Sequence, residues 1–123
     1  MVVDLSQAQI DLVFHALSDS TRRDIVTRVL EAECSVTALA GRYAMSFAAV
    51  QKHVSVLERA GLVTKHRHGR QQLVRGNPET VRRAAALLEQ YELLWRGRAD
   101  RIEEIFAEER HNLTRVTTRE DQK

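Results

Sequence analysis

The sequence predicts a mainly α-helical fold with one small β-hairpin: a winged helix-turn-helix whose terminal helices form a subunit interface. Three observations predict it. Residues 36–62, VTALAGRYAMSFAAVQKHVSVLERAGL, read as two short helices around a tight turn, ended by a glycine. A strand, a glycine turn and a second strand follow at once, over residues 62–75. A long helical segment at about 79–110 then carries apolar side chains seven residues apart.

Residues 5–17 form a first amphipathic helix, with Leu5, Leu12, Val13, Phe14 and Leu17 as its apolar contacts. Asp19 N-caps a second helix over 20–32, whose inward residues are Ile25, Val26, Val29 and Leu30. Ser35 caps the third, in which Val36, Leu39, Ala40 and Tyr43 recur at i, i+3, i+4 and i+7. Ala44-Met45 is too short for anything but a turn, and Ser46 N-caps a fourth helix over 46–60. Val50, Val54 and Leu57 form the inward stripe of that helix. The opposite face carries Ala48, Gln51, Lys52, Ser55 and Arg59, small and polar first and cationic later, as suits an element lying in a DNA major groove. Gly61 stands where a helix C′ residue would.

Residues 62–66 and 71–75 are strand-like runs joined around Arg67-His68-Gly69-Arg70, a hairpin with cations at its tip. Such a wing reaches phosphates or an adjacent minor groove. Asn77-Pro78 breaks the chain before the long helix. There Val81, Leu88, Trp95 and Ile102 are spaced by seven, with Ala84, Tyr91 and Ile105 on the adjoining row. A stripe of that length exceeds what a small monomer needs to cover its core and reads as a subunit interface; the alternative is a helix folded back on its own domain. Gly97 weakens the helix by about 1 kcal/mol relative to Ala. Residues 1–111 are expected to form one domain and the polar residues 112–123 a disordered tail.

Charge is unevenly distributed along the chain. The total is +2. Residues 1–45 hold four Arg against six acids and residues 77–123 nine bases against ten acids, for −2 and −1. Residues 46–76 hold Lys52, Arg59, Lys65, Arg67, Arg70 and Arg75 against Glu58 alone, a net +5. Positive excess confined to one helix and the segment after it marks a phosphate-binding surface; a merely solvated face would spread it. The candidate contact residues are Ser46, Phe47, Ala48, Gln51, Lys52 and Ser55 on the helix, with Lys65, Arg67, His68 and Arg70 on the wing. The expected partner is double-stranded DNA.

Composition sets the other bounds. At 123 residues and 43% hydrophobic the chain is one domain with a modest core. Aromatics at 5% argue against a single-strand stacking platform. No apolar run approaches a membrane span, and no apolar signal segment follows the start, so a cytoplasmic protein is expected. One cysteine permits no internal disulfide. A phosphate loop, a nucleophile elbow and paired carboxylates with a histidine are all lacking, so neither an enzyme nor a cofactor is expected.

Residues 16–26 (ALSDSTRRDIV), 33–40 (ECSVTALA) and 45–63 (MSFAAVQKHVSVLERAGLV), with the Gly-Arg wing, are similar to the arsenic-repressor (ArsR/SmtB) family of bacterial winged-helix regulators. The resemblance spans about residues 14–75. It implies a homodimer built on the terminal helices that represses at an imperfect palindrome near its own promoter. By the same resemblance Ser46, Gln51, Lys52 and Ser55 would contact DNA from the recognition helix, and Arg67 and Arg70 from the wing.

The chain also departs from the family. Many relatives sense metals through Glu-Leu-Cys-Val-Cys-Asp-Leu. Here Ser35 and Thr37 take the two thiolate positions, and Cys34 stands where the motif has Leu. A second family site pairs Asp-x-His with His-x-x-Glu on the last helix. Here Asp100 is followed by Ile102 and His111 by Thr114, too few ligands for a closed site. Ala44 replaces the glycine often found before the recognition helix. His66 and His68 share one strand face and read as phosphate-facing, and His53 reads as a half-buried structural histidine. His15 has no partner apparent in the sequence. Two alternatives remain: a winged helix that docks on protein, against which the +5 segment speaks, and a regulator responding through Cys34 or a ligand.

Overall fold

A computed structural model describes residues 5–121, with side chains through Thr114. The elements run α1 (Gln7–Leu17), α2 (Ser20–Glu31), β1 (Cys34–Ser35), α3 (Val36–Ala40), α4 (Phe47–Arg59), β2 (Val63–His68), β3 (Gln71–Gly76) and α5 (Pro78–Asp121). The chain divides into two compact units, one through Ala85 and one from Ala86 onward.

In the first unit four helices begin on side-chain caps. Ser6 accepts from the Gln9 N–H, Asp19 from Arg22, Ser35 from Ala38 and Ser46 from Ala49, at 3.0–3.2 Å. Each cap satisfies one of the backbone donors left open by the first helical turn. Asp19, Ser35 and Ser46 are the caps expected from sequence. Helix α1 starts at Gln7 rather than residue 5, since the serine, not Leu5, supplies the acceptor.

The strands form a three-stranded antiparallel sheet in the order β1-β3-β2. β2 and β3 pair from Val63↔Gly76 to His68↔Gln71. The hairpin is therefore tighter than the four-residue turn the sequence suggested: Gly69 and Arg70 alone make it. Gly69 has φ +63° and no non-glycine residue among the described residues has a positive φ, which matches the two-residue turn with glycine first. β1 was not expected. It pairs Cys34 with Val74 and Ser35 with Leu73, and two residues carry no alternation to read.

The core of this unit gathers Val13 and Ala16 from α1, Ile25 and Val29 from α2, and Leu39 from α3. Val50, Val54 and Leu57 join from α4, with Leu62, Val63 and Val74 from the sheet. Ala84 and the half-buried Val81, from the first turns of α5, pack into the same core. Val81 therefore serves its own fold, and the exposed row of α5 begins at Leu88. Leu12, Phe14 and Leu30, expected inside, are exposed, because α1 and α2 each bury a narrower stripe than their apolar content suggested. Helix α3 ends at Ala40, short of Tyr43. That tyrosine instead reaches back from the turn, its hydroxyl donating to Asp24 Oδ2 at 2.5 Å.

The second unit consists of α5 from Ala86 on. The helix continues to Asp121, past the expected end at 110 and through most of the expected tail. After Gly97 the sequence supplies no Gly or Pro stop, and polar side chains alone do not end a helix.

Candidate nucleic-acid interface

Helix α4 is fixed by its inner face. Val50, Val54 and Leu57 are at most 1% exposed, and His53 beside them is half-buried. The Arg22 guanidinium reaches His53 Nδ1 at 3.2 Å, and the same side chain donates to the carbonyls of Ala16 (2.7 Å) and His15 (3.1 Å). An arginine only donates, so His53 Nδ1 is the acceptor and its Nε2 carries the hydrogen. Asp19 Oδ2 lies 4.0 Å from the same Nδ1. The backbone N–H of Arg22, chiefly, holds the Asp19 carboxyl below the usual carboxylate range. One cluster thus ties the end of α1, the start of α2 and the flank of α4. His53 takes the structural role expected of it.

The outer face is left open. Ala48, Gln51, Lys52, Ser55 and Arg59 are all exposed, as are Ser46 and Phe47 at the helix start. Ser46 Oγ already accepts from the Ala49 N–H but keeps its own hydrogen to donate. Phe47 is 47% exposed, a large apolar surface at the leading end of the helix.

The exit of α4 aims the wing. Gly61 (φ +79°) donates to Glu58 O at 2.9 Å and Leu62 to Leu57 O at 3.0 Å, the two bonds of a Schellman cap. Asn77 Nδ2 then donates to Gly61 O at 3.0 Å, and the Asn77 N–H to Leu62 O at 2.9 Å, joining the end of the hairpin to its beginning. A cleft of about 220 Å³ runs between helix and wing, lined by Val36, Gln51, Val54, Ser55, Lys65 and Gln72. Base-reading candidates of α4 and the root of the wing therefore share one surface. Gln72 belongs to it and was missed, since a glutamine in a short strand carries no signal until the strands are paired.

The wing cations are not equivalent. Arg67 and Arg70 at the tip are exposed and join no ion pair among the described residues, and His68 is exposed beside them. Lys65 is half-buried and lies 3.4 Å from Glu58. Arg75 pairs with Glu33 at 3.0 Å, and His66 Nε2 stands 3.5 Å from the same carboxylate. Glu33, just before β1, thereby binds both wing strands. His66 faces that acid rather than phosphate, a contact across 33 residues that strand alternation could not foretell.

The positions of the family's metal motifs are occupied otherwise. Ser35 caps α3, Thr37 is exposed, and Cys34 Sγ donates to Ala32 O at 3.3 Å. Among the described residues no three His, Cys, Asp or Glu side chains gather as a metal site would require. No described helix is long and apolar enough to cross a membrane.

Comparison with known proteins agrees with this geometry. Residues 19–65 match the family described as bacterial regulatory protein, arsR family. The chain is similar to the uncharacterized HTH-type transcriptional regulator YuzN of Bacillus subtilis (strain 168), with 40% identity over 80 residues, 58% of this chain and 86% of that protein. It is also similar to the solved structure of an ArsR-like transcriptional regulator from Rhodococcus sp. RHA1, with 35% identity, 80% of this chain and 92% of that one covered, and a TM-score of 0.70. A crystal structure of a further ArsR family transcriptional regulator gives a TM-score of 0.70 at 28% identity, covering 76% of this chain and 97% of that one.

Proposed function

The chain belongs to the arsR family of bacterial regulatory proteins, a DNA-binding transcriptional regulator and not an enzyme, and we propose that it acts as a homodimeric repressor. Its target in this reading is an imperfect palindromic operator near its own promoter. The observation that carries the reading is the open face of α4 set beside Arg67 and Arg70 of the wing, which are exposed and join no ion pair among the described residues.

Each subunit lays α4 in a major groove. Gln51 and Ser55 reach base edges, where a glutamine can pair with adenine through two hydrogen bonds. Ser46 and Lys52 contact the groove and its phosphates, while Phe47 and Ala48 offer apolar contact to thymine methyl groups. Arg67, His68 and Arg70 extend the footprint along the backbone, with Lys65 at its root. Leu88, Tyr91, Trp95, Ile102 and Ile105 supply the apolar surface that joins two subunits. Two-fold symmetry then sets the two α4 helices against half-sites about 34 Å apart. Transcription stops because the occupied operator is closed to polymerase.

The test is a footprint on the DNA upstream of the protein's own coding sequence, followed by transcription in vitro from that promoter. Protection of an inverted repeat, with reduced transcript, is the expected result. Increased transcript would exclude repression. Binding that is indifferent to salt would favour a protein-docking module over DNA contact.

A further inference from the structure

The register of the hairpin makes the wing two-sided. In an antiparallel pair, residues directly opposite each other share a face, and successive residues alternate between faces. Val63↔Gly76, Lys65↔Val74 and Arg67↔Gln72 therefore lie on one face, and Thr64↔Arg75, His66↔Leu73 and His68↔Gln71 on the other. Lys65 of the first face stands 3.4 Å from Glu58 of α4, and Lys65 and Gln72 line the cleft beside Gln51, Val54 and Ser55, so this face looks toward α4. The second face carries Arg75 and His66, both gathered on Glu33. Along the first face burial falls from Val63 and Val74 through the half-buried Lys65 and Gln72 to the exposed Arg67.

Gln72 is the member of that face whose chemistry is unspent. It is half-buried, and its side-chain amide makes no hydrogen bond among the described residues. Buried polar groups ordinarily find a partner, so an amide partly withdrawn from water and left without one is set to gain from a ligand. Val36 and Val54 supply the apolar part of the cleft lining. Lys65 cancels Glu58, the acid on α4 that would otherwise repel an anion there.

When a helix lies in a major groove and a wing reaches beyond it, the DNA strand between the two grooves must cross the gap between helix and wing. In this fold that gap is the cleft. We propose that the cleft seats a backbone phosphate of that strand, with Gln72 Nε2 donating to a phosphate oxygen. This rests on the reading of α4 in the groove and the wing on the backbone, and adds to it a contact residue and the place where the strand crosses. An amide donates to phosphate without carrying charge. Gln72 thus contributes affinity on any sequence and releases no counterion, whereas the charged Arg67 and Arg70 each release one.

The experiment uses the full chain and fluorescence anisotropy across a salt series, on a random-sequence duplex and on the upstream fragment protected in the footprint. Gln72→Met keeps the length of the side chain and removes the donor. It should weaken both duplexes by the same factor, about tenfold for the two contacts of the proposed dimer, and leave the salt slope unchanged. Gln72→Lys and Thr64→Lys add the same charge on opposite faces of the wing. Gln72→Lys should steepen the slope by about two units in the dimer, and Thr64→Lys by less than about half a unit. Gln72→Met that bound both duplexes as wild type does would overturn the proposal. Gln72→Met that lost affinity for the upstream fragment alone would overturn it too, by making Gln72 a base reader. Equal steepening by the two lysines would assign the effect to net charge and not to the cleft, and would also overturn it. None of these results touches the helix-and-wing reading, which Gln51→Ala and Arg70→Ala test separately. Wild-type protein that bound neither duplex would overturn both.

Discussion

Replacing Arg22 by Met tests whether the recognition helix is held in place by the guanidinium cluster beneath it. Methionine keeps most of the stem but removes three directed donors: to Ala16 O (2.7 Å), His15 O (3.1 Å) and His53 Nδ1 (3.2 Å). The first two acceptors are last-turn carbonyls of α1, of which His15 O also accepts from the Ser18 N–H (3.2 Å) and hydroxyl (2.6 Å). A charge-assisted bond is worth about 1.5 kcal/mol or more net, and the cluster is only partly buried, so the sum is about 2–3 kcal/mol. For a domain of this size that corresponds to a loss of about 8–20 °C in melting temperature. Arg22→Lys keeps the charge as a single point donor and should recover no more than about one of the three contacts. Urea unfolding followed by circular dichroism reads both variants, at one protein concentration because the proposed dimerisation would feed into apparent stability. Operator affinity should fall with stability, since His53 loses its tether to α2. If Arg22→Met stayed within about 0.5 kcal/mol of wild type, or if Arg22→Lys matched wild type, the cluster would not be what seats α4.

Three further sets of substitutions probe other parts of the argument. Gln51→Ala should cost about 1–3 kcal/mol on the operator and relax preference at one base position per half-site, whereas Arg70→Ala should weaken operator and random duplex alike; competition titrations that reversed this pattern would exchange the roles of helix and wing. Gly76→Ala should destabilise by about 1–3 kcal/mol, because an added Cβ would lie 2.6 Å from Leu30 Cδ2 and 3.0 Å from Leu30 Cα; adding Leu30→Ala should recover only part of the loss, since the backbone atom stays. Burial first, and the Asp24 carboxylate second, push the Tyr43 hydroxyl up to about 12. Its folded value lies above the free tyrosine value of 10.0, so its contribution is complete below pH 10 and is lost as pH rises towards 12. Tyr43→Phe should remove that alkaline decline in urea midpoints; an unchanged decline would place its cause elsewhere.

What was legible in the sequence was local. The caps Asp19, Ser35 and Ser46, the stripe Val50–Val54–Leu57 and the Gly61 stop depend on residues within one or two turns of each other, and each stands where the pattern put it. The open face of α4 followed from the same periodicity. The connections between elements were not legible. Arg22 meets His53 across 31 residues and Arg75 meets Glu33 across 42, contacts that exist only once the chain has folded back. β1 was invisible because two residues show no period. Leu12, Phe14 and Leu30 misled because apolarity reports what could be buried, not which side faces the core. The far end of α5 misleads in the opposite sense: its polarity suggests disorder where nothing stops a helix.

Those long-range contacts change the charge that DNA can use. The sequence offers six cations against one acid over residues 46–76. In the fold Lys65 stands 3.4 Å from Glu58 and Arg75 3.0 Å from Glu33, so two of the six are already engaged. Lys52, Arg59, Arg67 and Arg70 are exposed and join no ion pair among the described residues. The proposed dimer would present eight such cations, four from each subunit. At about 0.9 counterions released per phosphate contact, log affinity should fall with log salt at a slope no steeper than about −7. Twelve cations would allow about −11. Fluorescence anisotropy on a random duplex across a salt series measures the slope directly, with sequence readout removed. Arg75→Ala should leave it unchanged, whereas Arg67→Ala should lower it by about two units in the dimer, one per contact removed. A slope near −11 would mean that Lys65 and Arg75 leave their carboxylates for phosphate. A slope shallower than about −3 would mean that the wing does not lie on the backbone at all.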